Sequence, residues 1–375
     1  MRKAFLLLLS PFVALMVPAC SSNQASGTGG AGGSASSGTG GGDLAHLDPP
    51  PTGQGFQFGT PEFTVPAGTE EQDCYFYQVK DLAKAAGLDP TKPVNLHHVQ
   101  VAQTTGSHHM NIFRVRTIVN LGPSGGLVQK GTDGMGQCFV SSNWADWPLV
   151  INSQQEGNVD WTYPDGVANV LQPDEWLMLQ THYVNASTQQ TPEPAKVNVN
   201  FWTIPDSKVT AHLGTIFATN QSIRICESNP APKYSASCQI NSPMPVQVIG
   251  ANGHFHSRGK EFDIYKWDGK STTTPPDSDR FYQSEMWNEP PMLHSPSLDV
   301  TIQSGGGIWY SCSYEWQEPP PSIGCTGLNA YDEMKYMTPA NQVDCCYTFG
   351  SQVDKNEHCN AFIYYYPETQ NVNCF

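Results

Sequence analysis

Histidines carry most of the chemistry this chain can do, and they come in pairs. Of 11 histidines, six stand as His97/His98, His108/His109 and His254/His256, while His182, His212, His294 and His358 are single and His46 lies near the amino-terminal end. Imidazole offers a lone pair at neutral pH and suits zinc, copper, iron or nickel, so gathered histidines are candidate metal ligands without naming the ion. In "NGHFHSRG", His254 and His256 are two apart, so on a strand both rings leave one face and can grip one metal. A histidine pair of the core or surface has the same spacing. In "GSHHMNIF", His108 and His109 are adjacent, and neighbouring strand residues point to opposite faces. Bringing both rings to one ion requires a bulge or a strand end. His182, in "EWLMLQTHYVNAS", shares a face with Trp176, Met178 and Gln180, the setting of an ordinary structural histidine. No Ser/His/Asp arrangement, phosphate loop or carboxylate pair offers a competing catalytic chemistry.

The elements that must position these side chains read as strands. From residue 56 onward alternation dominates, as in "KVNVNFWT", where Val197, Val199 and Phe201 share one face and Asn198 and Asn200 the other. Most of the 30 prolines and many of the 34 glycines fall between short apolar runs, which favours β-sandwiches over helices. Only "QVKDLAKAAGL" (78–88) predicts a brief helix. Its ~320 residues beyond the amino-terminal region suffice for two domains, and "IPDSK" suggests a boundary, giving domains over 56–205 and 206–375.

Residues 1–20 read as an export signal: Arg2 and Lys3, an apolar core "AFLLLLSPFVALMV", and a small-residue site ending on Cys20. "VPAC" resembles the lipobox of bacterial lipoproteins, which implies acylation of Cys20 and a membrane-anchored protein; the plainer alternative is an ordinary cleaved signal. Ser21 suggests the outer membrane, with the body facing the periplasm or the cell surface. Residues 21–55 begin with a Ser/Gly tether. Cysteine parity agrees with the lipid reading, since removing Cys20 from 11 cysteines leaves an even 10 for disulfides in an oxidising compartment. A net charge of −15 without any basic stripe argues against nucleic acid.

Taken in order, "DCYFYQVKDL", "NLHHVQV", "GSHHMNIF", "LMLQTHYVN", "GHFHSRGKEF", "YSCSYEW" and "NEHCNAFIYYYPETQNVNC" resemble the copper type II, ascorbate-dependent monooxygenases, the family of dopamine β-hydroxylase and the peptidylglycine α-hydroxylating monooxygenase. The resemblance runs from about residue 56 to the carboxyl end. It implies an all-β chain of two tandem jelly-roll-type β-sandwich domains, each holding one of two copper ions across a wet cleft. By the same resemblance His108, His109 and His182 would hold the electron-storing copper, and His254 and His256 the copper that meets O2. The reaction implied is hydroxylation of an activated C–H bond of a small substrate with O2 and ascorbate or another one-electron donor.

The third ligand of the second copper departs from the family pattern. His358 of "NEHCNAFIYYYP" stands where the family has a methionine, and imidazole lacks the preference of a thioether for Cu(I). Turnover is thereby in question more than copper binding, and a non-catalytic copper carrier or sensor is the alternative function. Met334 and Met337 of "YDEMKYM" are the other candidates for the missing sulfur. Where the peptide-amidating branch has an Arg and a Tyr near its substrate, Asn252 and Phe362 stand here. Without a guanidinium fork to clamp a carboxylate, a C-terminal glycine peptide is disfavoured. Gln180 and Asn360 match substrate-binding positions of that branch. His97 and His98 are expected to be structural or to support the ligands, and His212 and His294 to be ordinary. The resemblance also suggests disulfides Cys74–Cys138, Cys312–Cys359 and Cys238–Cys374. It leaves Cys226, Cys325, Cys345 and Cys346 unassigned, with Cys345 and Cys346 not expected to bond each other.

Overall fold

Alternating strands become two sets of sheets. The computed structural model describes residues 45–116, 127–131, 147–154, 157–185, 193–328, 337–369 and 372–374; the expected signal, Cys20 and most of the tether lie outside them. The described chain is all-β, with the expected short helix at Val79–Ala85. In the first set, a six-stranded sheet runs Gly55–Gly59, Val197–Thr203, Val94–Gln103, Val167–Leu171, Ala211–His212, with Gly157–Thr162 also pairing to Val94–Gln103. Its partner sheet runs Leu127–Gly131, Thr69–Gln78, Trp176–Asn185, Ser107–Val115, Leu149–Ser153. Val197, Val199 and Phe201 are fully buried between the layers, where Phe58 meets Tyr77 edge-on at 5.2 Å. The opposite face of that strand is covered too. Asn198 donates to the carbonyl of Ala45 (2.6 Å) and Asn200 to that of Asp48 (2.7 Å), so the chain is held well before residue 55, the expected end of the tether.

The second set repeats the plan. A six-stranded sheet runs Leu293–His294, Val246–His254, Asn360–Tyr366, Gly214–Thr219, Val372–Cys374, with Val300–Ile302 beside Val246–His254. Against it lies a four-stranded sheet of Lys233–Gln239, Gly307–Tyr314, Gly259–Trp267 and Arg280–Ser284. Cys238–Cys374 staples the two layers, and Cys312–Cys359 fixes the segment before Asn360 to the four-stranded sheet, both as expected. The four unassigned cysteines pair as Cys226–Cys346 and Cys325–Cys345, so the adjacent cysteines do bond elsewhere. Cys74 is disulfide-bonded, and its expected partner Cys138 lies outside the described residues.

Strand pairing changes over between His212 and Gly214, some residues beyond the expected boundary at 205. The sets nevertheless form one compact unit. Phe113 of the first packs on Phe217 of the second (5.8 Å), which stacks on Phe362 (5.2 Å). The hydroxyl of Tyr364 donates to Asn152 Oδ1 (2.7 Å) and accepts from its backbone N–H (2.8 Å). Such a junction, buried and fully hydrogen-bonded, holds the sets in one register rather than leaving them free to slide. Among the described residues no helix is long and apolar enough to cross a membrane.

Candidate metal centre

The adjacent pair resolves as a bulge. His109 lies opposite His182, and Ser107 lies opposite Tyr183, so His108 is the extra residue on its strand. The extra residue re-aims one ring, and both imidazoles turn toward His182, at ring-centre distances of 5.1 and 4.9 Å. His182 is oriented from behind: its Nε2 donates to Glu70 Oε2 at 2.8 Å, and its Nδ1 is buried with no hydrogen-bond partner. The same carboxylate oxygen accepts the backbone N–H of Val353 (3.3 Å), tying the first sheet set to the second beside the site.

His254 closes the strand Val246–His254, and His256 follows in a turn rather than on the strand itself. Glu357 shapes that turn. Its carboxylate accepts the backbone N–H of His256 (2.8 Å) and of Arg258 (2.9 Å), and the Arg258 guanidinium lies 3.3 Å away. Gly259 completes it, because a Cβ there would sit 2.0 Å from the ring of Phe255. His256 Nδ1 donates to the carbonyl of Asn356 (2.9 Å), leaving Nε2 free. His358 is held by the Cys312–Cys359 disulfide next to it and by Tyr314, whose hydroxyl donates to its carbonyl at 2.6 Å. Its ring centre is 4.4 Å from that of His256 and 5.1 Å from that of His254. Met337, a rival for this place, is half exposed and bridges to Val343; Met334 lies outside the described residues.

All six imidazoles expected as ligands therefore come together, but not as two trios facing across a cleft. His254 lies 4.9 Å from His108 and 5.1 Å from His109, so the groups merge into one nest. Ligand atoms within 4.8 Å of one another belong to His108, His109 and His254, and again to His254, His256 and His358. His254 is shared, and His182, expected as a ligand beside His108 and His109, belongs to neither group: its ring lies 5.1 and 4.9 Å from theirs, with its Nε2 spent on Glu70. The cause is the Phe113/Phe217/Phe362 and Asn152/Tyr364 junction, which brings the sheets into contact. Trp287 lies against the nest, 6.0 Å from His108.

Burial, reinforced by neighbouring imidazoles, holds His108, His109, His254 and His256 well below the ordinary histidine range and brings His358 down to about 3. These rings stay neutral at pH 7, the state that binds metal. Seven of their buried nitrogens have no hydrogen-bond partner: His108 Nε2, His109 Nδ1, His182 Nδ1, both of His254, His256 Nε2 and His358 Nδ1. Leaving a buried polar atom unpaired costs about 1–3 kcal/mol, and seven nitrogens gathered in one place mark a candidate metal site. The donor set fits copper or zinc, and the rear hydrogen bonds to Glu70 and Asn356 are those that orient ligating imidazoles.

A cavity of about 220 Å³ opens beside the nest, with His109, His254 and His358 in its wall together with Gln180 and Asn360. His97 and His98 are elsewhere. His97 Nδ1 bonds the carbonyl of Val167 (2.8 Å), and His98 bonds Asp160 (2.6 Å) and stacks on Trp202, so both serve the sheet. His294 packs against Trp161, and His212 is exposed. Glu70, Glu357, Arg258 and Trp287 escaped the sequence reading. Glu357 had the one available signal, its place beside His358.

No protein-family model and no curated protein sequence matches the chain. Among solved structures, the PBSX exported protein XepA is 8% identical, with 72% of this chain and 89% of that one covered, at a TM-score of 0.20. The VP2 subviral particle of infectious bursal disease virus is 10% identical, covering 86% and 83%, at 0.12. Likenesses this weak carry no argument about function.

Proposed function

We propose that the chain is a copper-dependent monooxygenase-like oxidoreductase of a bacterial membrane, anchored through Cys20, that binds two copper ions in the histidine nest. It would hydroxylate an activated C–H bond of a small molecule, with O2 and ascorbate or another one-electron donor as co-substrates. The observation that carries this reading is the set of six imidazoles, five buried and His358 partly so, with unpartnered nitrogens beside a cavity. His108, His109 and His182 would hold one ion and His254, His256 and His358 the other, with His254 near enough to serve either. Copper there would supply one-electron redox chemistry and the activation of dioxygen. The protein's own part is positional. Glu70 and the Asn356 carbonyl fix two ring orientations, Glu357 fixes the turn, and Gln180 and Asn360 offer amides to a substrate in the cavity.

His358 in the third position favours a second reading, a copper carrier or sensor without turnover, because three imidazoles accommodate both oxidation states. Copper titration followed by quenching of Trp287 fluorescence, with a bound-metal count, tests the site. Two ions per chain are expected, and none in a His108→Ala/His254→Ala double variant. Ascorbate-dependent oxygen uptake then separates the functions: uptake no faster than free copper, with two ions bound, identifies the carrier. A chain that binds no copper removes both.

A further inference from the structure

The cavity beside the nest has walls of two kinds. Phe113, Phe217, Phe349 and Phe362 supply an apolar lining, and Gln154, Asn111 and Asn360 supply amides. Among the described lining residues there is no Asp, Glu, Lys or Arg. Gln154 is 1% exposed, yet neither its Oε1 nor its Nε2 has a hydrogen-bond partner. Asn111 spends its Nδ2 on Gln180 (2.9 Å), but its Oδ1 is buried and unpartnered, as is Oδ1 of Asn360. A buried amide with donor and acceptor both idle calls for a ligand that accepts and donates at once. Elsewhere in the second sheet set, Asn252 stands where the peptide-amidating branch has its arginine. It is fully buried and bonded to Asn152 (3.3 Å) and to the carbonyls of Pro290 and Pro291 (both 3.4 Å). Among the described residues no counter-ion for either sign of charge lines this cavity, and an unpaired charge is costly to bury.

We infer that the cavity binds an uncharged small molecule, an aromatic body bearing a carboxamide or similar donor–acceptor group, seated on the four phenylalanines and hydrogen-bonded to Gln154. This rests on the proposed function only in taking that molecule as the one oxidised; the selectivity itself is a property of the metal-free wall. The volume, about seven water shares of ~30 Å³ each, suits a ligand of roughly ten non-hydrogen atoms. Ionic analogues with the same skeleton must be stripped of water without compensation, whereas the amide exchanges water for Gln154.

Three probes share a ring and a two-carbon arm: 2-phenylacetamide, the anion phenylacetate and the cation 2-phenylethylamine. Their dissociation constants are measured by calorimetry on the full chain at neutral pH, metal-free and copper-loaded. The amide is expected to bind at least tenfold more tightly than either ion to the metal-free protein. Gln154→Leu should lose about tenfold for the amide, and Gln154→Glu should shift the preference to 2-phenylethylamine, a change of selectivity that misfolding does not produce. Equal or tighter binding of an ion by the unaltered chain, no binding of the amide, or indifference to both substitutions overturns the inference. Bound copper is counted on the same samples. Failure of copper to bind while the amide preference holds in metal-free protein would fall on the proposed function alone.

Discussion

Acidifying the metal-free chain from pH ~7.5 to ~5.5 is expected to destabilise the histidine nest. His108, His109, His254, His256 and His358 are all held below the histidine range by burial. A depressed folded pKa means that the unfolded chain takes up protons first, so stability is full above the unfolded value near 6.5 and falls as the pH drops below it. For His358, with a folded value of about 3, linkage gives a loss on the order of 1 kcal/mol at pH ~5.5. His108, His109, His254 and His256, held down by the same burial, shift stability in the same direction. Glu357 opposes this. Burial raises it to about 7, against the pull of Arg258, so the folded chain takes up its proton first and gains about 2 kcal/mol by pH ~5.5. A typical domain is stable by only about 5–15 kcal/mol, so a loss contributed by five rings, reduced by Glu357, is large enough to read as a falling midpoint. Urea midpoints at steps between pH ~7.5 and ~5.5 measure it, with imidazole nitrogen NMR reporting which rings are charged. A flat midpoint over that window, or rings half protonated near pH ~6.5 in the folded chain, would refute the reasoning. Bound copper should raise every midpoint while leaving the slope over this window unchanged, because the folded rings are already neutral and the metal displaces no proton from them.

Three substitutions test the supports of the nest. Glu70→Gln keeps a side chain beside His182 but removes the charge that fixes its tautomer, so copper affinity, read by competition with a chelator, should fall about 10–100-fold at one site. His358→Met places a thioether in the nest: X-ray absorption of the Cu(I) protein should gain a sulfur scatterer absent before, and the metal-free chain should melt slightly higher by loss of one idle nitrogen, about 1 kcal/mol. If the unaltered protein already shows sulfur, His358 is not the ligand. Arg258→Met strands the fully buried Glu357 carboxylate and removes hydrogen bonds to the carbonyls of Val353 (2.7 Å) and Asp354 (2.6 Å). Thermal melts should show a loss of about 3–5 kcal/mol, and a loss below 1 kcal/mol would mean that the pair does not anchor the turn.

Much of the site was legible because strand periodicity is a local property. A His-x-His spacing and a doublet that needs a bulge or a strand end marked candidate ligands before any fold was known, and the bulge at His108 is one of the two devices the doublet allowed. Alternation along residues 196–203 announced a half-buried strand, although Asn198 and Asn200 proved to be covered by residues 45–48 rather than open to water. Glu70 gave no sign, because what matters about it is which imidazole lies behind the next strand. The idle amide of Gln154 was equally silent, since a glutamine reads as polar surface until its burial is known.

By itself the sequence determined the chemistry available: six imidazoles, an even set of cysteines after Cys20, a run of alternating strands, and no basic stripe for nucleic acid. Residue type and spacing fix these, since neither depends on what folds against what. Only the tertiary structure decided that the two histidine groups merge around His254, and that a carboxylate stands behind His182. The physical reason is that both facts arise at the junction of the sheet sets, where Phe113, Phe217 and Phe362 meet across more than 100 residues of chain and bury nitrogens that local pattern leaves exposed.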